Sequence, residues 1–244
     1  QKAIALTHMG MYQQSLEVFE QACDEEPDQP DIYFNTASAA FQKQEWSTAV
    51  AFYEKALEKL ELVTKGRATP PRYLPVLKPS DVEKLWKTAL QNKGIALSHL
   101  NRHDDAVKTF QEYFKLHDKK YEDSPVYLHV VKSYSAAGRI EEALDICEKR
   151  LYSNPFDARV MALKAQILMK MNQFEEALKF FDEALARAPD EVNLHLGKAT
   201  ALGKLGRNDD AKIHLQRAGQ LAKLKKQPMK PPPIVEQFMK KNSP

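Results

Sequence analysis

The chain has few of the residues that build chemical sites. Only two cysteines occur in 244 residues, Cys23 and Cys147. No CxxC and no HExxH motif is present, which excludes the common zinc-thiolate and zinc-protease arrangements. Both cysteines fall on core positions of the apolar pattern, so they read as buried free thiols suited to a reducing compartment, with a cytoplasmic location expected. No apolar run approaches the roughly 20 residues of a membrane helix, and no signal peptide is visible. Neither sign of charge dominates, with 36 Lys and Arg against 33 Asp and Glu. No stripe of interleaved aromatic and basic residues runs along the chain, so no nucleic-acid partner is expected. Glycine is scarce, at eight residues, and the run Gly197, Gly203, Lys204, Gly206 imitates a phosphate loop only on the surface. Its spacing is one residue too long, no Ser or Thr follows the lysine, and it lies in helical register. His99 and His103 stand four apart, but a helix end between them removes them as a metal pair. No cofactor and no metal site is expected.

What the chain does have is a repeat. Ala143, Ala177 and Ala211 lie 34 residues apart inside one apolar pattern. Twelve residues before each comes a small or medium side chain (Val131, Ala165, Ala199), nine before a large one (Tyr134, Leu168, Leu202), and four after a core-sized one (Cys147, Phe181, Leu215). The same frame fits around Ala106 (Gly94, Leu97, Phe110), Ala49 (Ala37, Tyr53, Ala56) and Ser15 (Ala3, Leu6, Phe19, Ala22), which makes six copies. A period of this size means stacked units, an arrangement that binds far more often than it catalyses. The small residues sit where two antiparallel helices cross, letting the backbones approach to about 8–10 Å. Gly10, Gly138 and Gly206 come five residues before Ser15, Ala143 and Ala211, where a first helix ends and a positive φ is needed. Pro27, Pro155 and Pro189 close second helices. Asp104 with Asp105, Glu141 with Glu142, and Glu175 with Glu176 open second helices, where the helix dipole favours acids.

On these residues the chain resembles the tetratricopeptide repeat family, over residues 1–222. The resemblance implies an all-α, right-handed superhelical solenoid of antiparallel helix pairs. Units are expected at about 1–29, 30–63, 87–120, 124–157, 158–191 and 192–222, with an insertion of 23 residues within about 62–86 and a tail at 223–244. Arg150 and Tyr113 depart from the pattern, replacing the alanine found at Ala22, Ala56, Ala184 and Ala218. Glu61, Asp118 and Lys223 stand where a proline is expected. The first unit lacks about five residues of its frame before Gln1, so the sequence is expected to be part of a longer polypeptide.

The insertion carries Pro70, Pro71, Pro75 and Pro79, which force extended or turned backbone, and Ser80 with Glu83 reads as a capping box restarting a helix. Its Arg67, Arg72, Tyr73 and Lys78 are candidate contacts, although a tolerated surface excursion explains them equally. In some family members such an insertion docks a small GTPase, an analogy of position alone. The tail is basic and proline-rich, with Lys223, Lys225, Lys226, Lys230, Lys240 and Lys241 against Glu236. It can cap the last unit, fold into the groove or stay unstructured, and capping follows from the apolar face that unit would otherwise leave uncovered.

The resemblance further implies that first helices line a concave groove. The inward stripe would include Phe34, Asn35, Ser38, Asn92, His99, Leu128, His129, Lys132, Arg159, Gln166, Lys170 and Lys204. Asn35 and Asn92 occupy matching places, two residues before Ala37 and Gly94, from which an amide can pair with a peptide backbone. Lys132, Arg159, Lys170 and Lys204 have no acid among the inward positions, so a peptide of acidic character is the expected partner. Cochaperone members of the family clamp a C-terminal carboxylate with Lys and Asn, then Asn, then Lys and Arg on consecutive units. The places required here hold Thr88 and Asn92 in one frame, and Phe34, Ser38, Pro125 and His129 in the other, so no such clamp for heat-shock chaperones is expected. The function implied is a non-catalytic interaction scaffold. The alternatives are an accessory domain of a larger enzyme or complex subunit and, as an outsider, nucleic-acid binding through the basic tail.

Overall fold

The computed structural model describes residues 2–27, 29–65, 79–116 and 126–226. The insertion residues Arg67, Arg72, Tyr73 and Lys78, and the tail beyond residue 226, lie outside the described residues. Twelve α-helices and no strand occur among the described residues.

The chain divides into two compact units, Gln1–Lys120 and Tyr121–Pro244. The first holds α1 (Lys2–His8), α2 (Tyr12–Glu25), α3 (Pro30–Gln42), α4 (Trp46–Thr64), α5 (Pro79–His99) and α6 (His103–Lys115). The second holds α7 (Tyr127–Ala136), α8 (Ile140–Ser153), α9 (Ala158–Lys170), α10 (Phe174–Arg187), α11 (Val192–Lys204) and α12 (Asn208–Leu224). Within each unit every helix packs on its successor, and first helices of neighbouring hairpins also touch, α3 on α5, α7 on α9 and α9 on α11.

The hairpins close on the small residues of the frame. Ser15, Ala49, Ala106, Ala143 and Ala177 are wholly buried, and Ala211 is 1% exposed. At Ser15 the buried hydroxyl is satisfied by donating to the carbonyl of Ala3, 2.8 Å away and twelve residues earlier. Two glycines mark still closer approaches: a Cβ built on Gly94 would lie 2.5 Å from the ring of Phe110, and one on Gly197 2.5 Å from the ring of Phe181. Gly197 is therefore the contact point of α11 on the preceding hairpin, which explains a glycine in the run that imitates a phosphate loop.

All six hairpin turns use one device. Gly10, Gly138 and Gly206 take φ of 75°, 78° and 76°, and Gln44, Asn101 and Asn172 take 64°, 59° and 60° at the equivalent places. In each turn the following amide donates to a carbonyl five residues back, as in Met11 to Leu6 and Glu45 to Ala40 at 2.9 Å, ending the first helix in a Schellman motif. Sequence reading located the three glycines but not the three side-chain-bearing residues. The backbone bond is the same in both, so the turn holds a left-handed residue even where glycine is missing.

Two sequence expectations change. Helix α5 begins at Pro79, so Ser80 lies inside its first turn and not at the cap, and Glu83 pairs one turn on with Lys87 at 2.5 Å. Proline at the first helical position explains the shift, since its fixed φ suits a helix start. Helix α12 runs on to Leu224, so the last repeat extends past the expected boundary at residue 222.

Arg150, one of the departures from the repeat pattern, belongs to a buried polar knot. Asp157, 8% exposed, caps α9 by accepting from the amides of Arg159 (3.1 Å) and Val160 (3.4 Å). Its other oxygen accepts from the Tyr127 hydroxyl at 2.9 Å. The Arg150 guanidinium lies over the Tyr127 ring, 4.6 Å from its centroid, with Nε 3.6 Å from Asp157. Burial, together with the Asp157 carboxylate, pushes the Tyr127 phenol up to about 12 and keeps it a donor. A long cation at an alanine position thus joins α7, α8 and α9.

Two variants test this packing. Gly94→Ala is expected to destabilise the chain by about 1–3 kcal/mol in chemical denaturation, because the overpacking exceeds alanine's gain in helix propensity. Asp157→Ala is expected to cost about 2–3 kcal/mol, since it removes a helix cap and strips the half-buried Arg150 of its carboxylate; a loss below about 0.5 kcal/mol would contradict the knot.

Candidate functional site

In the first unit, three of the candidate residues, Phe34, Ser38 and Asn92, converge on a side chain that sequence reading placed only in the core. The Tyr53 ring is fully buried and meets Phe34 edge-on, with centroids 5.9 Å apart. Asn92 Nδ2 donates to the Tyr53 hydroxyl at 3.0 Å, and that hydroxyl lies 3.2 Å from Ser38 Oγ. Ser38 Oγ donates in turn to the Phe34 carbonyl at 2.9 Å. The donors follow one direction, Asn92 to Tyr53 to Ser38 to Phe34, so α3, α4 and α5 are tied by a satisfied relay. Burial raises the Tyr53 pKa above the usual phenol value and keeps the group neutral.

The two matching asparagines therefore differ. Asn92 commits its amide to Tyr53 and keeps its carbonyl oxygen, whereas Asn35 is half-buried and lines a cavity of about 590 Å³ between α1, α2 and α3. Ile4, Val18, Phe19 and Ile32 supply apolar wall, and Asp31 and Glu26 supply acids. One oxygen of Asp31 is buried without a hydrogen-bond partner, and desolvation raises that carboxyl's pKa. His99 is exposed and stacks on Trp46, with centroids 4.2 Å apart and planes 7° apart, while Phe41 meets Trp46 edge-on at 5.3 Å.

In the second unit Leu128 and His129 on α7 are half-buried, and Lys132, Arg159, Gln166, Lys170 and Lys204 are exposed on α7, α9 and α11. Two of the expected free cations have partners. Lys170 Nζ donates to Ser135 Oγ at 2.9 Å and to its carbonyl at 3.2 Å, joining α9 to α7. Arg159 Nε lies 3.8 Å from Asp157, an acid that the inward positions alone did not include.

Reactive groups elsewhere are sequestered. Both thiols are buried and free, and burial pushes Cys147 up to about 12. Among the described residues no cluster of three or more His, Cys, Asp or Glu is placed to hold a metal, and no helix is long and apolar enough to cross a membrane. A histidine pair joins α11 to α12. His195 is 8% exposed, its Nε2 lies 2.9 Å from the Pro189 carbonyl, and its Nδ1 lies 3.0 Å from His214 Nδ1. A carbonyl only accepts, so His195 carries its proton on Nε2 and receives the Nδ1 proton of His214.

Comparison with known proteins agrees with the architecture. Tetratricopeptide repeat models match residues 1–62 and 168–223, and a PPR repeat model matches residues 126–149, covering α7 and most of α8. The chain is a tetratricopeptide repeat protein. It is 26% identical over 187 residues to stress-induced-phosphoprotein 1 of Caenorhabditis elegans, covering 77% of this chain and 50% of that protein. It is likewise 26% identical over 191 residues to the Hsp70-Hsp90 organizing protein of Triticum aestivum, covering 69% of this chain and 31% of that one. The chain thus spans half or less of the length of these relatives. Among solved structures it resembles YrrB, described as a TPR protein with an unusual peptide-binding site, with a TM-score of 0.56, 17% identity, and coverage of 93% of this chain and 99% of that one.

The histidine pair gives a pH prediction. Burial first, then the Lys198 and His195 neighbours, lower the His214 pKa from 6.5 to about 4. The unfolded chain binds the extra proton first, so this contribution is whole above pH about 6.5 and is lost as pH falls toward 4. The thermal midpoint is expected to drop across that interval, and to drop less in His214→Asn.

Proposed function

We propose that this chain is a non-catalytic scaffold that holds a peptide or protein partner against the exposed stripes of its first helices. The observation that carries this reading is Asn35: a half-buried amide that makes no side-chain hydrogen bond to other described residues, set at the edge of an apolar cavity. Such an amide can give its carbonyl and its NH2 to a peptide backbone, which secures affinity without strict sequence choice. Asn92, with its amide engaged by Tyr53, contributes its carbonyl oxygen. In the second unit Lys132 and Lys204 favour a partner of acidic character, with Leu128 as apolar contact.

The similarity to Hsp70-Hsp90 organizing proteins supports protein binding as the class of function. Our reading does not include a carboxylate clamp, since the places such a clamp would use hold Thr88 and Asn92 in one frame and Phe34, Ser38, Pro125 and His129 in the other, none of them Lys or Arg. Since the chain spans only part of its relatives, an accessory role within a larger protein is the second reading, and the insertion is a further candidate contact in either.

Selection from a displayed random-peptide library on the full chain tests the scaffold reading. Peptides selected on the first unit are expected to lose about 5- to 10-fold in affinity to Asn35→Ala, the value of one or two hydrogen bonds, and those selected on the second unit to be rich in Asp and Glu and to bind more weakly as salt rises. Equal binding to the variant at every ionic strength would reject the proposed stripe, and turnover of a small molecule by the purified chain would reject the scaffold class.

A further inference from the structure

Charge is unevenly spread along the chain. The whole sequence carries +3, yet residues 1–65, which span α1 to α4, hold five lysines and no arginine against eleven Asp and Glu, a local balance of −6. Four of the five lysines already have partners. Lys43 pairs with Glu45 and Lys65 with Glu61, Lys55 lies over the rings of Tyr33 and Phe52, 5.8 and 5.3 Å from their centroids, and Lys59 is engaged as well. From α5, Lys93 reaches Glu54 at 3.1 Å. Glu20, Asp24, Glu25, Glu26 and Asp31 form no ion pair with a described residue.

Two of these acids meet in the cavity beside Asn35. Glu26 and Asp31 line it together with Lys2, over an apolar wall that includes Ile4, Val18 and Ile32. Lys2 is exposed, whereas both acids are half-buried. Asp31 stands in the first turn of α3, where the helix dipole favours a carboxylate. That position does not account for its Oδ1, which is shut off from solvent and receives no hydrogen bond. Buried acceptors are nearly always paired, and this one also bears the like charge of Glu26. A cation entering beside the two carboxylates relieves both costs.

Building on the scaffold role of the Asn35 stripe, we propose that this cavity receives an arginine side chain of the bound polypeptide, so that the first unit selects a basic segment. Arginine suits both kinds of wall. Its methylene stem lies along Ile4, Val18 and Ile32, while its guanidinium brings five donors to Asp31 Oδ1 and the Glu26 carboxylate. At about 590 Å³ the cavity falls within the roughly 300–1,000 Å³ of ligand pockets and admits the side chain with its neighbours in the segment. Asn35 then takes the backbone of that segment. The preference is opposite in sign to that of Lys132 and Lys204 in the second unit.

The test titrates the full chain with a fluorescein-labelled peptide of repeated Arg-Arg-Leu, with Glu-Glu-Leu as control. Saturable, salt-weakened binding of the arginine peptide is expected, reduced at least about tenfold in Asp31→Asn/Glu26→Gln and unchanged in Lys132→Ser/Lys204→Ser. The acid variants keep side-chain shape, and a thermal midpoint that does not fall shows that the fold is kept. If Asn35→Ala weakens the peptides selected on the first unit while Asp31→Asn/Glu26→Gln leaves arginine-peptide binding intact, the scaffold reading stands and the cavity proposal fails. Absence of arginine-peptide binding or equal binding of the glutamate peptide would overturn it too. So would loss of binding in a longer polypeptide that extends upstream of Gln1, since the extension would then be the occupant.

Discussion

Close approach of helix backbones at a few small residues is the constraint on which the rest of this structure depends. Ala49, Ala106, Ala143 and Ala177 present nothing to solvent, and Gly94 and Gly197 leave no space for even one methyl group against Phe110 and Phe181. Interiors this dense tolerate neither a cavity nor an extra methylene without strain. Because Gly94 and Gly197 are met by the rings of Phe110 and Phe181, those contacts have one depth of interlock. Turns that end the first helix with a left-handed residue then set where the second helix starts.

Polar groups in this framework work mainly as internal ties. The Asn92 to Tyr53 to Ser38 relay joins three helices of the first unit, and the Asp157 knot joins three of the second. Each involves residues that a linear reading assigns to ligand contact or to a departure from the repeat. A buried hydroxyl or carboxylate must find a partner within the fold, and helices stacked side by side offer those partners across repeats. The candidate residues that make no such tie are a smaller set, among them Asn35 beside its cavity and the exposed Lys132 and Lys204 on α7 and α11.

Much of the fold was legible because its signal is periodic. A frame of 34 residues with small, large and core-sized positions located the hairpins, and glycine located three of the six turns. Gln44, Asn101 and Asn172 escaped notice because nothing in their chemistry demands a left-handed conformation; the surrounding Schellman bonds impose it. The candidate site was legible only as a stripe. Spacing identifies which residues share a helix face, yet Asn35 and Asn92, equivalent in the frame, differ in what the neighbouring helix offers them. Lys170 and Arg159 were read as free charges because Ser135 and Asp157 lie outside the inward positions.

The sequence by itself determined that the chain is all-helical, that it is built of repeated antiparallel hairpins, and which residues form their cores, since apolar periodicity and small-residue spacing are local properties of a chain. Only the tertiary structure decided which polar side chains are consumed inside the fold and which face outward. Hydrogen bonds and ion pairs form within about 3 Å, and residues as distant as Tyr53 and Asn92, or Ser135 and Lys170, reach that distance only after helices from different repeats have packed.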